Sequence, residues 1–385
     1  MPAESRDVDI VLLGATGFTG GLIADYLAAH APSTVTIAVA GRDPARVDQV
    51  VARSGGRFGS ITVDATDPVG LANLTARTRV LITTVGPYLV HGDPVVAACA
   101  DTGTDYLDLT GEPEFVDLTY LKHHQRAVAT GARLVHACGF DSVPHDLGAQ
   151  FTVEQLPEDV PLEVRGYVTM HGTFSGGTAA SALEVMHRMG QGRTTQAIRR
   201  QIEPEPEGRT VTVATGRIAK DASTGSWVVP APTIDPLIVA ESARRLARYG
   251  PDFTYSHFLA TGGPLATAGT LGGLGALFAA AQVPPLRRAM SRLRPPGSGP
   301  TPEQRAKAWF RVRFVGEGGG RQVTTEVTGG DPGYTETSKM IGEAALSLAV
   351  DELPDTAGQV TTASALGPAL RRRLQDAGIS FTVVA

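Results

Sequence analysis

The stretch Gly14-Ala15-Thr16-Gly17-Phe18-Thr19-Gly20 decides the fold of this chain. It follows an apolar run at residues 8–13 and precedes a helical pattern that starts near residue 19. A strand, a glycine-rich turn and a helix in this order form the context of a dinucleotide-binding fingerprint. Such a turn presents backbone N–H groups and a helix N-terminus, where a pyrophosphate can bind. The alternative is a purely structural strand–helix turn, because three glycines alone are a weak signal.

The end of the second predicted strand indicates which dinucleotide binds. This strand, residues 34–40, runs into Gly41-Arg42-Asp43. NAD-binding folds usually carry an acidic residue here for the ribose 2′-hydroxyl, whereas an arginine accommodates a 2′-phosphate. A guanidinium group can donate two charge-assisted hydrogen bonds to phosphate oxygens. We therefore predict NADP(H) as the cofactor; the alternative is a solvated Arg42 next to Asp43 as a helix N-cap.

Strands and helices alternate over the first 140 residues. The candidate strands are residues 8–13, 34–40, 60–63, 79–84, 105–109 and 132–137, and the candidate helices lie near 19–30, 44–53, 68–76, 93–102 and 115–130. Apolar strands that alternate with helices predict a parallel sheet covered on both faces. We therefore expect an α/β fold in which residues 1–150 form an NADP-binding Rossmann domain with a doubly wound parallel sheet.

The pattern changes after residue 155. Alternating segments that predict strands lie at 162–170, 227–229, 254–258, 308–315 and 322–328, with helical patterns at 178–190 and 235–249. The glycines of residues 316–321 predict a hairpin between the last two strands. We expect residues 151–330 to form an α+β substrate and dimerisation domain on a mostly antiparallel sheet. Residues 331–385 are expected to form a long helix at 334–350 and to return towards the Rossmann domain.

Composition excludes several classes of protein. A chain of 385 residues with 42% apolar and 19% charged residues is long enough for two ordinary globular domains. A net charge of −5 offers no electrostatic basis for binding nucleic acid. Cys99 and Cys138 fit no metal-binding spacing and indicate a reducing compartment. Charged residues around the first strand argue against a signal peptide, so we expect a cytoplasmic protein. Because the cysteines match no metal-binding pattern, we expect no bound metal.

Residues 258–286 contain no charged side chain. This segment is long enough to span a membrane, but its middle consists mostly of weakly hydrophobic Gly, Ala and Thr. A basic flank suited to anionic lipid headgroups follows, with Arg287, Arg288, Arg292 and Arg294. Three interpretations remain open: a spanning helix, a peripheral membrane contact through residues 258–294, and a buried or mobile flap over the substrate site.

Ligands of open α/β sheets bind outside the carboxyl ends of the strands. In this chain the loops at residues 83–92, 108–112 and 138–148 follow the fourth, fifth and sixth predicted strands. They read V-G-P-Y, L-T-G-E and G-F-D-S-V-P-H-D-L-G. Together with G-A-T-G-F-T-G and G-R, they resemble the saccharopine dehydrogenase-like reductases, and most of all their trans-acting enoyl reductase branch from actinobacterial lipid biosynthesis. The resemblance covers the first 185 residues and resumes at 334–351.

This resemblance implies hydride transfer from NADPH to an unsaturated acyl chain held by the carrier protein of a polyketide synthase. It assigns Gly14, Thr16, Gly17, Phe18 and Gly20 to the pyrophosphate, Arg42 to the 2′-phosphate, and Gly86, Pro87 and Tyr88 to the nicotinamide ribose. Ala15, Asp64 and Thr84 complete the predicted cofactor contacts.

Enoyl reduction also needs hydrogen-bond donors for an enolate oxygen and a proton for the α-carbon. Tyr88 and His91 are the catalytic candidates. The substrate candidates are Tyr88, Asp108, Glu112, Asp141, Ser142, Ser175, Gly176 and Thr178. Several have a structural alternative: Tyr88 as a pocket wall, His91 as a partner of loop backbone, Asp108 and Asp141 as caps, and residues 175–178 as a simple turn. His145 is expected to be a surface or capping residue.

Two other functions remain open. One is NADPH-dependent imine reduction in amino-acid or secondary metabolism, and the other is an NADP(H)-binding, lipid-associated protein without turnover. A saccharopine-like substrate with several carboxylates would require fixed cations. The candidates Arg165, Arg188, Arg199 and Arg200 lie in no motif that matches the family.

Overall fold

Two sheets organise the chain in the computed structural model, which describes residues 6–172, 176–231, 233–286 and 299–384. The strands are β1 (Val8–Leu13), β2 (Ile37–Gly41), β3 (Gly59–Thr62), β4 (Thr78–Thr83), β5 (Asp105–Asp108), β6 (Arg133–Val135), β7 (Leu162–His171), β8 (Thr210–Val213), β9 (Ala219–Lys220), β10 (Trp227–Pro230), β11 (Asp252–Ala260), β12 (Trp309–Gly318), β13 (Arg321–Gly329), β14 (Gly358–Val360) and β15 (Ser380–Val383). The helices are α1 (Phe18–His30), α2 (Pro44–Arg53), α3 (Pro68–Ala76), α4 (Tyr88–His91), α5 (Asp93–Thr102), α6 (Pro113–Thr130), α7 (Val143–Val153), α8 (Gly176–Ile202), α9 (Asp235–Arg245), α10 (Pro264–Gln282), α11 (Pro302–Ala306), α12 (Thr335–Val350), α13 (Thr362–Ala365) and α14 (Gly367–Asp376).

The first sheet has the order β14-β6-β5-β4-β1-β2-β3, and all its neighbouring strands are parallel. Strand β1 shows why the apolar run is continuous. Ile10 and Leu12 belong to the hydrophobic core on one face, while Val11 and Leu13 belong to the core on the other. The part of a strand that is buried on both faces, here Ile10–Leu13, therefore takes apolar residues at every position. The predicted doubly wound sheet is therefore confirmed.

The strand order of this sheet reverses between β1 and β4. The carboxyl ends of β1, β4, β5 and β6 therefore border one crevice, and the loops that follow them line it.

The second sheet has the order β15-β13-β12-β7-β11-β10-β9, with β8 beside β11. Its pairs are antiparallel except β7–β11 and β8–β11. The mostly antiparallel sheet is confirmed, and β12 and β13 form the expected hairpin. The helical pattern at 178–190 belongs to the longer α8, and that at 235–249 ends as an α-helix at Arg245.

The C-terminal residues join both sheets. Helix α12 packs against α1, where the Tyr26 hydroxyl donates to Glu343 Oε1 at 2.6 Å. Strand β14 lies beside β6 in the first sheet, whereas β15 pairs with β13 in the second.

Helix α10 occupies the middle of the uncharged segment. Among the described residues it is the one helix that is long and apolar enough to cross a membrane, judged by length and composition alone. Its mean hydropathy is 1.3, yet only 11% of the window is buried. Leu265 and Phe278 are exposed, so this helix presents apolar side chains outside the core.

Candidate active site

The glycine turn has a backbone that only glycine fits at two positions. Gly14 has a φ of +90°, which L side chains rarely adopt. A Cβ on Gly20 would lie 2.2 Å from the carbonyl oxygen of Gly14, so a side chain there would separate α1 from the turn. The first N–H groups of α1 have no partner within the helix and point towards the crevice end of β1. These features fit a pyrophosphate held by the turn.

Two arginines lie at the end of β2. Arg42 is exposed directly after the strand, and Arg46 is exposed on the first turn of α2. The Arg46 Nη2 donates to the carbonyl oxygen of Thr16 at 2.8 Å, which brings this guanidinium to the glycine turn. Asp43 caps α2 by accepting from the Arg46 N–H at 3.2 Å. The sequence prediction named only Arg42. Arg46 lies one helical turn further along the chain, and this spacing could have indicated the second arginine.

Asp64 and His91 lie near these arginines. The Asp64 carboxylate accepts from the Thr66 hydroxyl at 2.7 Å and the Thr66 N–H at 2.8 Å. These hydrogen bonds, together with the charges of Arg42 and His91, lower the pKa of Asp64. The grouping puts His91 near Asp64, on the side of the predicted cofactor site where Arg42 lies.

The loop after β4 contacts the glycine turn. The Thr84 hydroxyl donates to the Gly14 carbonyl oxygen at 3.1 Å. Gly86 is exposed and Pro87 is partly exposed, so both can border a ligand. Ala15 is buried under the turn, whereas Thr16, Gly17 and Phe18 reach the surface.

Tyr88 is buried and its hydroxyl is engaged with backbone. The Tyr88 hydroxyl donates to the Thr83 carbonyl oxygen at 3.2 Å and accepts from the Leu109 N–H at 3.2 Å. Burial and the charge of Asp108 raise the pKa of this phenol well above its usual value. These contacts favour the pocket-wall alternative over proton donation. Glu112 has a similar role, since its carboxylate accepts from the Tyr88 and Leu89 N–H groups at 3.2 and 2.9 Å.

Asp108 is fully buried and holds three segments together. Its carboxylate accepts from the Tyr106 hydroxyl at 2.9 Å, the Thr110 N–H at 3.0 Å and the Ala137 N–H at 2.9 Å. The His136 Nδ1 lies 2.7 Å from the same carboxylate. Asp108 therefore fixes the loops after β5 and β6, which is the structural alternative considered for it.

Asp141 differs from the other acids of these loops. Asp141 is exposed, and its carboxylate lies beside the Gly111 backbone across the crevice. Desolvation by the surrounding protein, followed by the charge of Asp235, raises the pKa of Asp141 to about 7. The residue is exposed as a whole, while the protein around its carboxyl group disfavours the ionised form. Its neighbour Ser142 is buried, and its hydroxyl donates to the Asp141 carbonyl oxygen at 2.7 Å.

Behind Asp141 lies a buried cluster of His145, Asp235 and His257, which the sequence analysis missed. His145 Nδ1 lies 3.0 Å from Asp235 Oδ1, and His257 Nε2 lies 3.7 Å from Asp235 Oδ2. The expectation of a surface or capping His145 is wrong, because only 2% of the residue is exposed. The three donor atoms lie within 4.8 Å of one another, a spacing that also suits a cation. His145 and Asp235 lie at ion-pair distance, but His145 Nδ1, His145 Nε2 and Asp235 Oδ1 accept or donate no hydrogen bond of good geometry within the described residues.

Burial and the neighbouring side chains determine which members of this cluster are charged. Burial disfavours a charged Asp235, but His145, with a hydrogen bond from the Thr233 side chain, outweighs this effect and lowers the pKa of the Asp235 carboxyl group. Burial lowers the pKa of His257 to about 4, so this imidazole is neutral at pH 7. The Tyr255 hydroxyl lies 3.0 Å from His257 Nδ1 and orients the ring.

The last group of predicted substrate residues opens α8. Ser175 lies outside the described residues, and Gly176 is the first residue of the helix. Thr178 belongs to the same first turn, so the prediction that this turn contacts substrate stays a prediction.

Comparison with known proteins identifies the domain that carries the glycine turn. Residues 10–135 match the family model described as the saccharopine dehydrogenase NADP binding domain. The fold and this domain define an NADP-binding oxidoreductase.

Full-length relatives are more specific. A Mycobacterium tuberculosis protein provisionally named trans-acting enoyl reductase is 38% identical over 99% of this chain and 98% of its own length. Proteins named trans-acting enoyl reductase in Mycobacterium ulcerans and Mycobacterium bovis are 33% and 35% identical, each over 98% of both chains. The chain belongs to the saccharopine dehydrogenase-like oxidoreductases, in the group of these named enoyl reductases.

A solved structure shows the same fold. The chain is similar to apo saccharopine dehydrogenase (L-Glu forming) from Saccharomyces cerevisiae, with a TM-score of 0.55 over 98% of this chain and 100% of that one. Identity is 14%, so this likeness supports the architecture alone.

Proposed function

We propose that this protein reduces the conjugated C=C bond of an enoyl thioester with NADPH, on an acyl chain presented by a carrier protein of lipid or polyketide synthesis. Support comes from the full-length relatives named trans-acting enoyl reductase and from the NADP-binding domain. When bound, NADPH supplies the hydride. The glycine turn would hold the pyrophosphate, Arg42 and Arg46 would hold the 2′-phosphate, and the Gly86–Pro87 loop would border the nicotinamide ribose.

The ion pairs of the candidate arginines distinguish between an acyl substrate and an amino-acid substrate. Three of the four candidate cations are paired with carboxylates of this chain: Arg165 with Glu317, Arg188 with Glu114, and Arg199 with Asp117, Glu203 and Glu241. A charge already neutralised in this way gains little from a substrate carboxylate. This observation favours the enoyl thioester over the imine alternative.

The proposal also includes a peripheral contact with an anionic bilayer through α10. Leu265 is 88% exposed and Phe278 is 44% exposed on this helix. Apolar side chains next to a basic sequence are the combination that binds anionic interfaces. A cytoplasmic enzyme with this contact would meet long acyl chains at the membrane surface.

The reaction can be tested with deuterium-labelled cofactor. NADPH carrying deuterium at C4 is incubated with the protein and a 2-enoyl thioester on an acyl carrier protein. We expect one deuterium at the β-carbon of the saturated product, detected by mass spectrometry. Label recovered instead from an amine and a 2-keto acid would establish imine reduction. NADPH binding without transfer to either substrate would support the non-enzymatic alternative.

A further inference from the structure

We propose that Asp141 donates the proton to the α-carbon of the substrate, and that His145, Asp235 and His257 act as positioning residues for this step. The inference rests on the proposed enoyl reduction and names a catalytic residue for it. Among the described residues of the three crevice loops, the other acids and phenols are already committed to the protein. Asp108 and Glu112 bind backbone N–H groups, and the Tyr88 hydroxyl lies between two backbone groups.

Asp141 has the placement that the step requires. It follows β6, at the carboxyl edge where the crevice opens, and its carboxylate faces Gly111 of the loop after β5. No side chain of the described residues hydrogen-bonds to this carboxylate, and solvent reaches the residue. A proton donor must approach the reacting carbon and be recharged from water afterwards. Asp141 meets both conditions.

The proposed step balances as follows. Hydride addition to the β-carbon moves the C=C electron pair onto the thioester, which becomes an enolate. The O–H bond of the Asp141 carboxyl group then breaks, and its proton forms the new C–H bond at the α-carbon. The electron pair of that O–H bond stays on Asp141 as a carboxylate, which takes up a proton from water before the next turnover.

The charges around Asp141 come from three elements. Asp235 on α9 and Asp108 on β5 carry negative charges that oppose ionisation of Asp141, while His145 on α7 favours it. Asp235 keeps its charge chiefly because His145 faces it. The phenol of Tyr88 also lies close enough to Asp141 for the two groups to interact electrostatically. Desolvation of the carboxyl group and the ionised Asp235 behind it therefore raise the pKa of Asp141 to about 7, so that a large share of Asp141 carries a proton at neutral pH.

The first test combines turnover with a titration that needs no cofactor. D141N should lower turnover of the enoyl thioester about 100-fold, the usual effect of losing a general acid. The matched control D48N changes an exposed carboxyl group on α2 and should stay within twofold of wild type. In the cofactor-free protein labelled with 13C at the aspartate carboxyl groups, NMR should show one titration near pH 7 that is missing in D141N.

The second test uses the two charges that act on Asp141 in opposite directions. D235N should move the titration midpoint of Asp141 to lower pH, and H145Q should move it to higher pH. Circular dichroism verifies that both variants are folded.

The outcomes separate the two proposals. Wild-type protein that transfers no hydride to an enoyl thioester would overturn the proposed function together with this inference. Wild-type turnover with D141N within twofold of it would overturn the inference alone. An Asp141 midpoint below pH 5, or shifts of D235N and H145Q in the same direction, would also overturn it.

Discussion

At the residue scale, selectivity for the 2′-phosphate depends on Arg42 and Arg46. Both guanidinium groups are exposed at the end of β2, and Arg46 also contacts Thr16 of the glycine turn. A hydrogen bond to a charged group contributes about 1.5–3 kcal/mol. We therefore expect R42A to weaken NADPH binding at least about tenfold while NADH binding stays unchanged, measured by fluorescence titration. R46A should act in the same direction.

The control for this prediction is R79A. Arg79 is also exposed and pairs with Asp9, but it lies at the start of β4, on the sheet edge opposite the crevice. The R79A variant should bind NADPH with the same affinity as wild type. Equal losses of NADPH and NADH affinity in R42A would contradict a 2′-phosphate contact.

The raised pKa of Asp141 also predicts how stability depends on pH. An unfolded aspartate ionises near pH 3.8, whereas folded Asp141 keeps its proton up to about pH 7. Folding is therefore opposed increasingly from about pH 4 upward, and the full cost is present above pH 7. D141N removes this cost. Its melting temperature should exceed that of wild type by about 2 °C or more at pH 8.5 and by nothing at pH 4, measured by calorimetry. A gain that is equal at both pH values would contradict ionisation as its cause.

The residues of the site differ in how far one sequence predicts them. The glycine turn and Arg42 are local signals, because a few consecutive residues determine the turn and the strand end. His145, Asp235 and His257 come from α7, α9 and β11, and only tertiary packing brings them together. No spacing along the chain marks this contact, so His145 was assigned to the surface.

At the element scale, predictability follows burial. Strands β1 and β4 have continuous apolar centres, Ile10–Leu13 and Val80–Ile82, because both faces are covered there, so their positions could be predicted within a residue or two. Strands β8, β9 and β15 have two to four residues and are largely exposed. Such short strands carry little apolar periodicity and depend on pairing with β11, β10 and β13, which the sequence alone does not display.

Helix α10 allows a test of the bilayer contact. Burying two large apolar side chains in an interface contributes about 1.5–3 kcal/mol each. L265D combined with F278D should therefore reduce binding to liposomes containing phosphatidylglycerol at least about tenfold, measured by sedimentation. V69D is the matched control, since Val69 is 70% exposed on α3 of the Rossmann domain. Unchanged sedimentation of the double variant would contradict the bilayer contact, and a dimer that it converts to a monomer would identify a second copy as the occupant.

At the scale of the whole molecule, a buried ion network joins the two domains. Arg199 of α8 is 7% exposed and contacts Asp117 of α6 at 3.1 Å. It also contacts Glu203 and Glu241 at 2.9 Å each, and its guanidinium lies over the Tyr120 ring, 4.2 Å from the centroid. Helix α6 packs against β14 of the first sheet, and α9, which carries Glu241, packs against β8 and β11 of the second. Arg199 therefore links the helices packed on the two sheets through one buried cation.

Removing this cation should destabilise the protein strongly. R199M leaves three carboxylates close together with their main cation missing, and breaking a buried pair in this way costs about 3–5 kcal/mol. R126M is the control on α6, because Arg126 and Asp101 form an exposed pair worth at most about 1 kcal/mol. Urea unfolding at pH 7 should show the large loss for R199M only. The loss should shrink towards pH 4, where protonation of the carboxylates removes their repulsion. A loss of stability below about 1 kcal/mol at pH 7 would contradict this prediction. It would mean that Arg245 or water compensates for Arg199 and that the domains do not depend on it.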